Sequence, residues 1–295
     1  MKHNSALTLF SAAFETDINV DFEIALLDNT CSFSEGPAWS KDGYYLFSDI
    51  PENVICAIAP GMQKKVHLDR SGCTLQDKSF LSEQTGSNGL TFDSQGQLYI
   101  CQHGNGSVAV LRNGKIEPLV QEYHGRRFNS PNDLVLHPNG TIFFTDPPYG
   151  LKDGVLAPEF GQPKAGLYSF REGRLELISE AFKYPNGVCF SPDRSMLYCC
   201  SNKPSEKFIL MFDAVTGEPL RTLCEENSDG IKCDRRGNLW LCTKEGIVVI
   251  DNSGVRLAQI ALPTVPANCC WGGAEGSDLF ITARENIFLI KGILR

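Results

Sequence analysis

The chain has 295 residues, 42% of them hydrophobic, which is enough to bury a sizeable core in one domain. Its net charge of −8 is spread without a basic cluster, which argues against nucleic acid or an anionic membrane surface as a partner. No apolar run approaches the roughly 20 residues of a membrane-spanning helix. We therefore expect a single domain over residues 1–295, within which residues 1–20 can be irregular.

The N-terminal segment and the cysteines bear on the compartment. Lys2 is followed by SALTLFSAAF, a weak match to a secretory signal because its apolar run is short and broken by Ser and Thr. Twelve cysteines stand mostly at hydrophobic strand positions, and no Cys-x-x-Cys spacing occurs. We interpret them as reduced core residues and favour a cytoplasmic protein.

A 15-residue unit recurs six times along the chain. The copies read EGPAWSKDGYYLFSD, NGLTFDSQGQLYICQ, NDLVLHPNGTIFFTD, NGVCFSPDRSMLYCC, DGIKCDRRGNLWLCT and NCCWGGAEGSDLFIT. Each has a short apolar stretch, then a turn, then a run rich in β-branched, aromatic and cysteine residues. Glycine occupies the ninth place in five copies, and Arg194 occupies it in the fourth. This pattern predicts a repeated β-hairpin.

The spacing of the copies predicts the architecture. Successive copies begin 39 to 54 residues apart, which leaves room for two more strands, such as residues 108–111 and 116–120 in the second unit. We therefore predict an all-β fold, a six-bladed β-propeller with about four antiparallel strands per blade. Only residues 287–290 follow the last hairpin as a strand-like run, so residues 22–27 should pair there and close the ring. Residues 147–166 predict a long loop inside the third blade.

The first residue of each copy, called the head residue below, is the candidate site position. The head residues are Glu35, Asn88, Asn132, Asn186, Asp229 and Asn268. Innermost propeller strands line the central channel, so these side chains should gather around one axis. Two carboxylates and four carboxamides suit a hard divalent cation such as Ca²⁺ or Mg²⁺. Asn or Asp before glycine also shapes turns, but a turn does not explain the glutamate in the first copy.

Three residues near the hairpin ends are further candidates. His103 directly follows the second hairpin, where it either contacts substrate or moves a proton, or is a solvated loop residue. Asp146 ends the third copy, where it either orients neighbouring ligands or caps the following loop. Tyr149 and the loop after it are predicted to cover the site.

Five motifs in order give the chain a resemblance to a known family. They are SEGPAW, NSPNDLV, FFTDPPYG, YPNGVCFSPD and SDGIKCDRRGNLW. Together they resemble the SMP-30/gluconolactonase/LRE-like family, and the bacterial gluconolactonase branch in particular, because Ser130 stands where the regucalcin branch has an arginine. The resemblance implies a six-bladed propeller with one divalent metal held by Glu35, Asn186 and Asp229. It also implies that Asn132 completes the site or contacts substrate.

The resulting hypothesis is metal-assisted hydrolysis of a sugar lactone. Ca²⁺ is the first candidate ion, with Mg²⁺, Mn²⁺ and Zn²⁺ as alternatives, and it would stabilise the oxyanion while Asp229 removes a proton from water. In the alternative, Asp229 only orients the water. Asn88, Asn132 and His103 are the predicted substrate contacts. The expected partner is a small-molecule lactone, and the sequence gives no evidence of an obligate protein partner.

Two other functions stay open on the same fold. One is hydrolysis of phosphotriester-like esters, which also needs a polarising cation. The other is a non-enzymatic propeller that binds calcium or a metabolite.

Overall fold

In the computed structural model, which describes residues 5–295, six antiparallel sheets form the blades of a β-propeller. This confirms the predicted fold. Blades 1–6 are numbered by the repeat that each contains. Blade 1 consists of Ser34–Trp39, Tyr45–Asp49, Val54–Ile58 and Lys65–Asp69. Blade 2 consists of Ser87–Phe92, Leu98–Gln102, Ser107–Arg112 and Lys115–Val120. Blade 3 consists of Leu134–Leu136, Ile142–Asp146, Gly166–Arg171 and Arg174–Ser179.

Blades 4–6 complete the ring. Blade 4 consists of Pro185–Phe190, Met196–Ser201, Ile209–Asp213 and Pro219–Cys224. Blade 5 contains Ile231–Cys233, Leu239–Thr243, Gly246–Ile250 and Arg256–Ile260. Blade 6 consists of Asn268–Gly272, Asp278–Ala283, Asn286–Ile290 and Ile24–Asp28. Outside the blades lie a small hairpin, Glu122–Tyr123 with Arg126–Arg127, and the 3₁₀ turns Ala12–Thr16, Lys152–Gly154 and Pro204–Glu206. The predicted loop after Asp146 is present between the second and third strands of blade 3.

A strand from the N-terminal part of the chain closes the ring, as predicted. Ile24–Asp28 pairs antiparallel with Asn286–Ile290, so the outermost strand of blade 6 comes from the beginning of the sequence. The chain then enters blade 1, which is bonded to blade 6 because the Ser34 amide donates a hydrogen bond to the Arg284 carbonyl at 2.7 Å. Both ends of the chain therefore hold the ring together.

The segment before the closing strand also packs on the propeller. Leu7–Leu9 adds a fifth strand to blade 5, beside Arg256–Ile260. Phe14 is buried and lies 6.4 Å from Trp240, centroid to centroid. Lys2, the basic residue of the weak signal match, lies outside the described residues. Within residues 5–295, no helix is long and apolar enough to cross a membrane.

The hairpin turn of every repeat needs a left-handed residue. The five ninth-place glycines have φ between +62° and +94°, and Arg194 takes φ +63° in the fourth copy. The sequence pattern thus identified all six turns correctly, including the one without glycine.

The glycine after a head residue serves close packing between blades. A Cβ on Gly89 would lie 2.6 Å from the Asn132 carbonyl oxygen, and one on Gly187 would lie 2.6 Å from that of Asp229. The Gly89 amide donates to the same Asn132 oxygen at 2.7 Å, and the Gly187 amide donates to that of Asp229 at 2.9 Å. Both glycines lie inside strands, so the turn alternative does not apply there.

The cysteines behave as core residues. All twelve are unpaired, and ten are buried, while Cys224 and Cys233 are half-buried. They pack among aliphatic and aromatic side chains between the blades, for example Cys199 with Phe143 and Phe212. Their interpretation as small hydrophobes is confirmed.

Candidate functional site

Five of the six head residues line one cavity of about 240 Å³. The full lining is Phe33, Glu35, Ile50, Gln84, Asn88, His103, Asn132, Tyr149, Asn186, Asn202 and Asp229. The structure therefore brings together Glu35, Asn88, Asn132, Asn186 and Asp229, along with His103 and Tyr149. Residues from blades 1–5 or the loops beside them contribute to the wall, so the cavity lies at the common axis.

Glu35 and Asp229 place two carboxyl groups in this confined space. The Glu35 side chain is buried, and its Oε2 accepts a hydrogen bond from the Gly36 amide at 2.8 Å. Burial raises the pKa of Glu35, and the negative charges of Asp229 and Asp133 raise it further. Burial also raises the pKa of Asp229, against the effect of two amide donors. A cation bound between Glu35 and Asp229 would relieve the repulsion between their carboxylates.

A chain of hydrogen bonds fixes the orientation of Asp229. Its Oδ1 accepts from the Asn186 side-chain amide at 2.5 Å and from that of Asn202 at 3.1 Å. The Tyr149 hydroxyl in turn donates to Asn202 Oδ1 at 2.7 Å. With its NH₂ group committed to Asp229, Asn186 has a buried Oδ1 that has no hydrogen-bond partner.

His103 is a buried, neutral residue rather than a solvated one. Its Nδ1 lies 2.9 Å from the Gln84 carbonyl oxygen, so the ring proton is on that nitrogen. Nε2 then accepts from the Asn88 side-chain amide at 3.2 Å. Burial lowers the pKa of His103 to about 4, which keeps the imidazole uncharged near neutral pH. The Oδ1 of Asn88 is buried and unpaired, like that of Asn186.

Asn268 is the head residue that does not line the cavity. Its Oδ1 accepts hydrogen bonds from Lys232 Nζ at 3.1 Å and from the Cys269 amide at 2.9 Å. The same ammonium lies 3.3 Å from Asp133 Oδ2. The sequence places all six heads around one axis without requiring each of them to bind, and Asn268 is the head whose oxygen is taken by a lysine from the neighbouring blade.

Asp146 braces the backbone that leads to a head residue. Its carboxylate accepts from the amides of Asn129 and Ser130, at 2.9 and 2.8 Å, three and two residues before Asn132. Asp49 and Glu206 accept from the equivalent amides before the heads of blades 1 and 4. Burial raises the pKa of Asp146 to about 7, and these hydrogen bonds oppose the rise.

The cavity has the donor set for a hard divalent cation. Two carboxylates face it together with two buried carboxamide oxygens that lack any hydrogen-bond donor, those of Asn88 and Asn186. Within the described residues, no cluster of three or more His, Cys, Asp or Glu forms a metal site. The carboxamide oxygens are what complete the set, and oxygen ligands of this kind are preferred by Ca²⁺ and Mg²⁺.

Several lining residues had not been predicted from the sequence. Asn202 holds Asp229, Gln84 holds His103, and Phe33 and Ile50 supply apolar wall. Ile50, His103 and Asn202 stand at the sixteenth or seventeenth place counted from their head residues. Extending the repeat by two places would have identified Ile50 and Asn202 alongside His103.

Comparison with known proteins places the chain among lactone-hydrolysing propellers and their structural relatives. Residues 33–285 match the family described as SMP-30/Gluconolactonase/LRE-like region. A gluconolactonase of Zymomonas mobilis is 30% identical over 310 aligned residues, covering 97% of this chain and 85% of that protein.

Two solved structures show the same architecture. A gluconolactonase from Xanthomonas campestris superimposes with a TM-score of 0.83 at 27% identity and covers 99% of this chain and 96% of its own. A calcium-binding regucalcin from Agrobacterium tumefaciens superimposes with a TM-score of 0.73 at 18% identity, covering 92% and 95% of the two chains. The second likeness concerns the fold alone.

Proposed function

We propose that this chain, which belongs to the SMP-30/gluconolactonase/LRE-like family, is a lactonase that opens a sugar lactone in the axial cavity. The observation that carries the proposal is the meeting of Glu35, Asp229 and two unpaired carboxamide oxygens in one cavity. Similarity to gluconolactonases over nearly the whole chain supports the reaction class.

We assign a divalent cation, Ca²⁺ first, to Glu35, Asn186 and Asp229. When bound, it would supply Lewis-acid stabilisation of the negative charge that develops on the lactone oxygen. The unpaired Oδ1 of Asn186 and the two carboxylates are available to hold it.

Asp229 is the proposed general base. The amides of Asn186 and Asn202 both bind its Oδ1, so the carboxylate is held in one orientation and Oδ2 has no hydrogen bond from the described residues. A proton taken from water would go to Oδ2.

Asn88 and Asn132 are the proposed contacts for substrate hydroxyl groups. Asn88 is held by the neutral His103, and because both ring nitrogens of that histidine are already paired, we assign His103 to positioning Asn88 rather than to proton transfer. Asn132 lines the cavity from the neighbouring blade, on the backbone that Asp146 braces. Tyr149 closes the wall beside Asn202.

The test is an assay of purified protein against a panel of aldonolactones and organophosphate triesters, with and without EDTA. We expect lactone hydrolysis that EDTA abolishes and Ca²⁺ restores. Asp229→Asn should lower kcat by at least ~100-fold, because a general base contributes about 10²–10⁴-fold. Asp42→Asn, in an exposed turn, is the matched control and should keep full activity.

Metal binding is measured separately, by isothermal titration of EDTA-treated protein with CaCl₂. Saturable binding that Glu35→Gln weakens supports the assigned ligands. Turnover of triesters alone would replace the lactonase with an esterase, and binding without turnover of either class would indicate a non-enzymatic calcium-binding propeller.

A further inference from the structure

A second cavity of about 310 Å³ adjoins the axial cavity at Asp229 and Asn202, which line both. Its other walls come from the loops of blades 4–6 and include Lys244 and Arg284. Both of these side chains are exposed, and neither forms an ion pair with any carboxylate of residues 5–295. Two cations that form no ion pair thus line a cavity that opens beside the proposed catalytic aspartate, and Arg284 also lies over the Phe33 ring.

Two acidic side chains near this cavity already share a cation. Arg256 binds Glu226 through Nε at 2.6 Å and Glu245 through Nη1 at 3.0 Å. Lys244 and Arg284 take no part in that network, so their charges are available to a bound anion. A third cation, Lys203, lies over the Tyr184 ring, with Nζ 4.6 Å from its centroid.

The positive charge reaches the axial cavity. Lys203 Nζ lies 5.3 Å from the centroid of the Tyr149 ring, and Arg284 Cζ lies 5.9 Å from that of the Phe33 ring; both rings line the axial cavity. The two cations are therefore within electrostatic range of the proposed site. An anionic group bound here would remain close to a lactone held beside Asp229.

The two cations occupy places that line the axial cavity in other blades. Lys244 is sixteenth from the head residue of blade 5, as His103 is in blade 2. Arg284 is seventeenth from the head of blade 6, as Asn202 is in blade 4. The propeller symmetry therefore presents Lys244 and Arg284 at the same rim as residues that already surround the site.

We propose that the second cavity is an anion subsite and that the preferred substrate is a sugar lactone bearing a carboxylate or a phosphate. The lactone ring lies in the axial cavity, and its anionic end is bound by Lys244 and Arg284. This inference rests on the proposed lactonase function. A lactone of an aldaric acid and a phosphorylated aldonolactone share the required chemistry.

The test compares three lactones on one enzyme: gluconolactone, glucarolactone and 6-phosphogluconolactone. We expect kcat/KM to be about 10-fold higher for at least one anionic lactone than for the neutral one, as two solvent-exposed ion pairs allow. The anionic lactone that gains identifies carboxylate or phosphate as the group bound. The advantage should shrink between 25 mM and 500 mM NaCl, because salt screens exposed charges.

The variant Lys244→Gln/Arg284→Gln should reduce the ratio of anionic to neutral kcat/KM by about 10-fold. Arg221→Gln removes an exposed cation from the outer strand of blade 4 and should leave that ratio unchanged. If the double variant does not fold, as judged by circular dichroism, Lys244→Gln alone should reduce the ratio by about 3-fold.

Titration with glucarate and gluconate in the presence of CaCl₂ separates this inference from the lactonase proposal. Tighter binding of glucarate that depends on Lys244 and Arg284 supports the subsite even when no lactone is hydrolysed. Equal kcat/KM for neutral and anionic lactones, or a ratio that the double variant leaves unchanged, overturns the subsite while the lactonase stands.

Discussion

Replacing Lys232 by methionine should destabilise the propeller through the charge it leaves behind. Lys232 Nζ lies 3.3 Å from Asp133 Oδ2, and the Asp133 side chain is only 5% exposed. Without the ammonium, Asp133 keeps hydrogen bonds from the Leu134 amide at 2.9 Å and the Val188 amide at 3.3 Å. Its charge still acts on Glu35, whose pKa it raises. Removing one partner of a buried ion pair costs about 3–5 kcal/mol.

The assay is thermal unfolding in EDTA, so that no cation compensates for the lost ammonium. A loss of about 3 kcal/mol corresponds to a fall of roughly 6 °C in Tm for a domain of this size. Asp133→Asn in the same background should recover about 2 kcal/mol, because the unpaired charge is then gone. Lys207→Met, at an exposed position, is the control. A loss below about 1 kcal/mol, or no recovery in the double variant, would refute this reasoning.

Three further outcomes follow from the geometry. Gly36→Ala should cost at least ~3 kcal/mol in urea unfolding, since its Cβ would lie 1.8 Å from the carbonyl oxygen of Asn88. Gly276→Ala, with open space and a φ of +62° against +55° for Gly36, should cost only about 1 kcal/mol, and equal losses would contradict the packing argument. The His103 ring should stay neutral in NMR titration from pH 8 to 5, because burial lowers its pKa to about 4. Its contribution to stability is present above the unfolded pKa of about 6.5 and is lost as pH falls towards 4. Titration near pH 6.5 would show that the ring is exposed. A thiol reagent should modify at most Cys224 and Cys233 in the native protein and all twelve cysteines after denaturation, and more than two fast native thiols would show a looser core.

The repeat made the propeller and most of its cavity predictable. A head residue lies within two residues of the start of each innermost strand, so equivalent positions had to meet at the axis, and five of the six head residues do line the cavity. Asn268 differs because Lys232 reaches it from the next blade, and contacts between copies cannot be seen within one copy.

The surroundings of the head residues were harder to predict. Gln84, which fixes the His103 tautomer, lies outside the 15-residue unit, in the connection that precedes the first strand of blade 2. Asn202 lies beyond the fifteenth place, where the sequences of the copies diverge. Periodicity identifies positions that every blade needs, whereas the residues that hold Asp229 and His103 are particular to one blade each.

Because the ring is closed by pairing an early strand with a late one, the site can form only after both strands have been synthesised. Ile24–Asp28 leaves the ribosome early, yet its partner Asn286–Ile290 is made more than 250 residues later. Contacts so distant in sequence form slowly, and blade 1 cannot be fixed against blade 6 before them. Glu35 and Asp229 should therefore face one another only in a finished propeller. The proposed cation site would therefore be complete only in molecules that have finished folding.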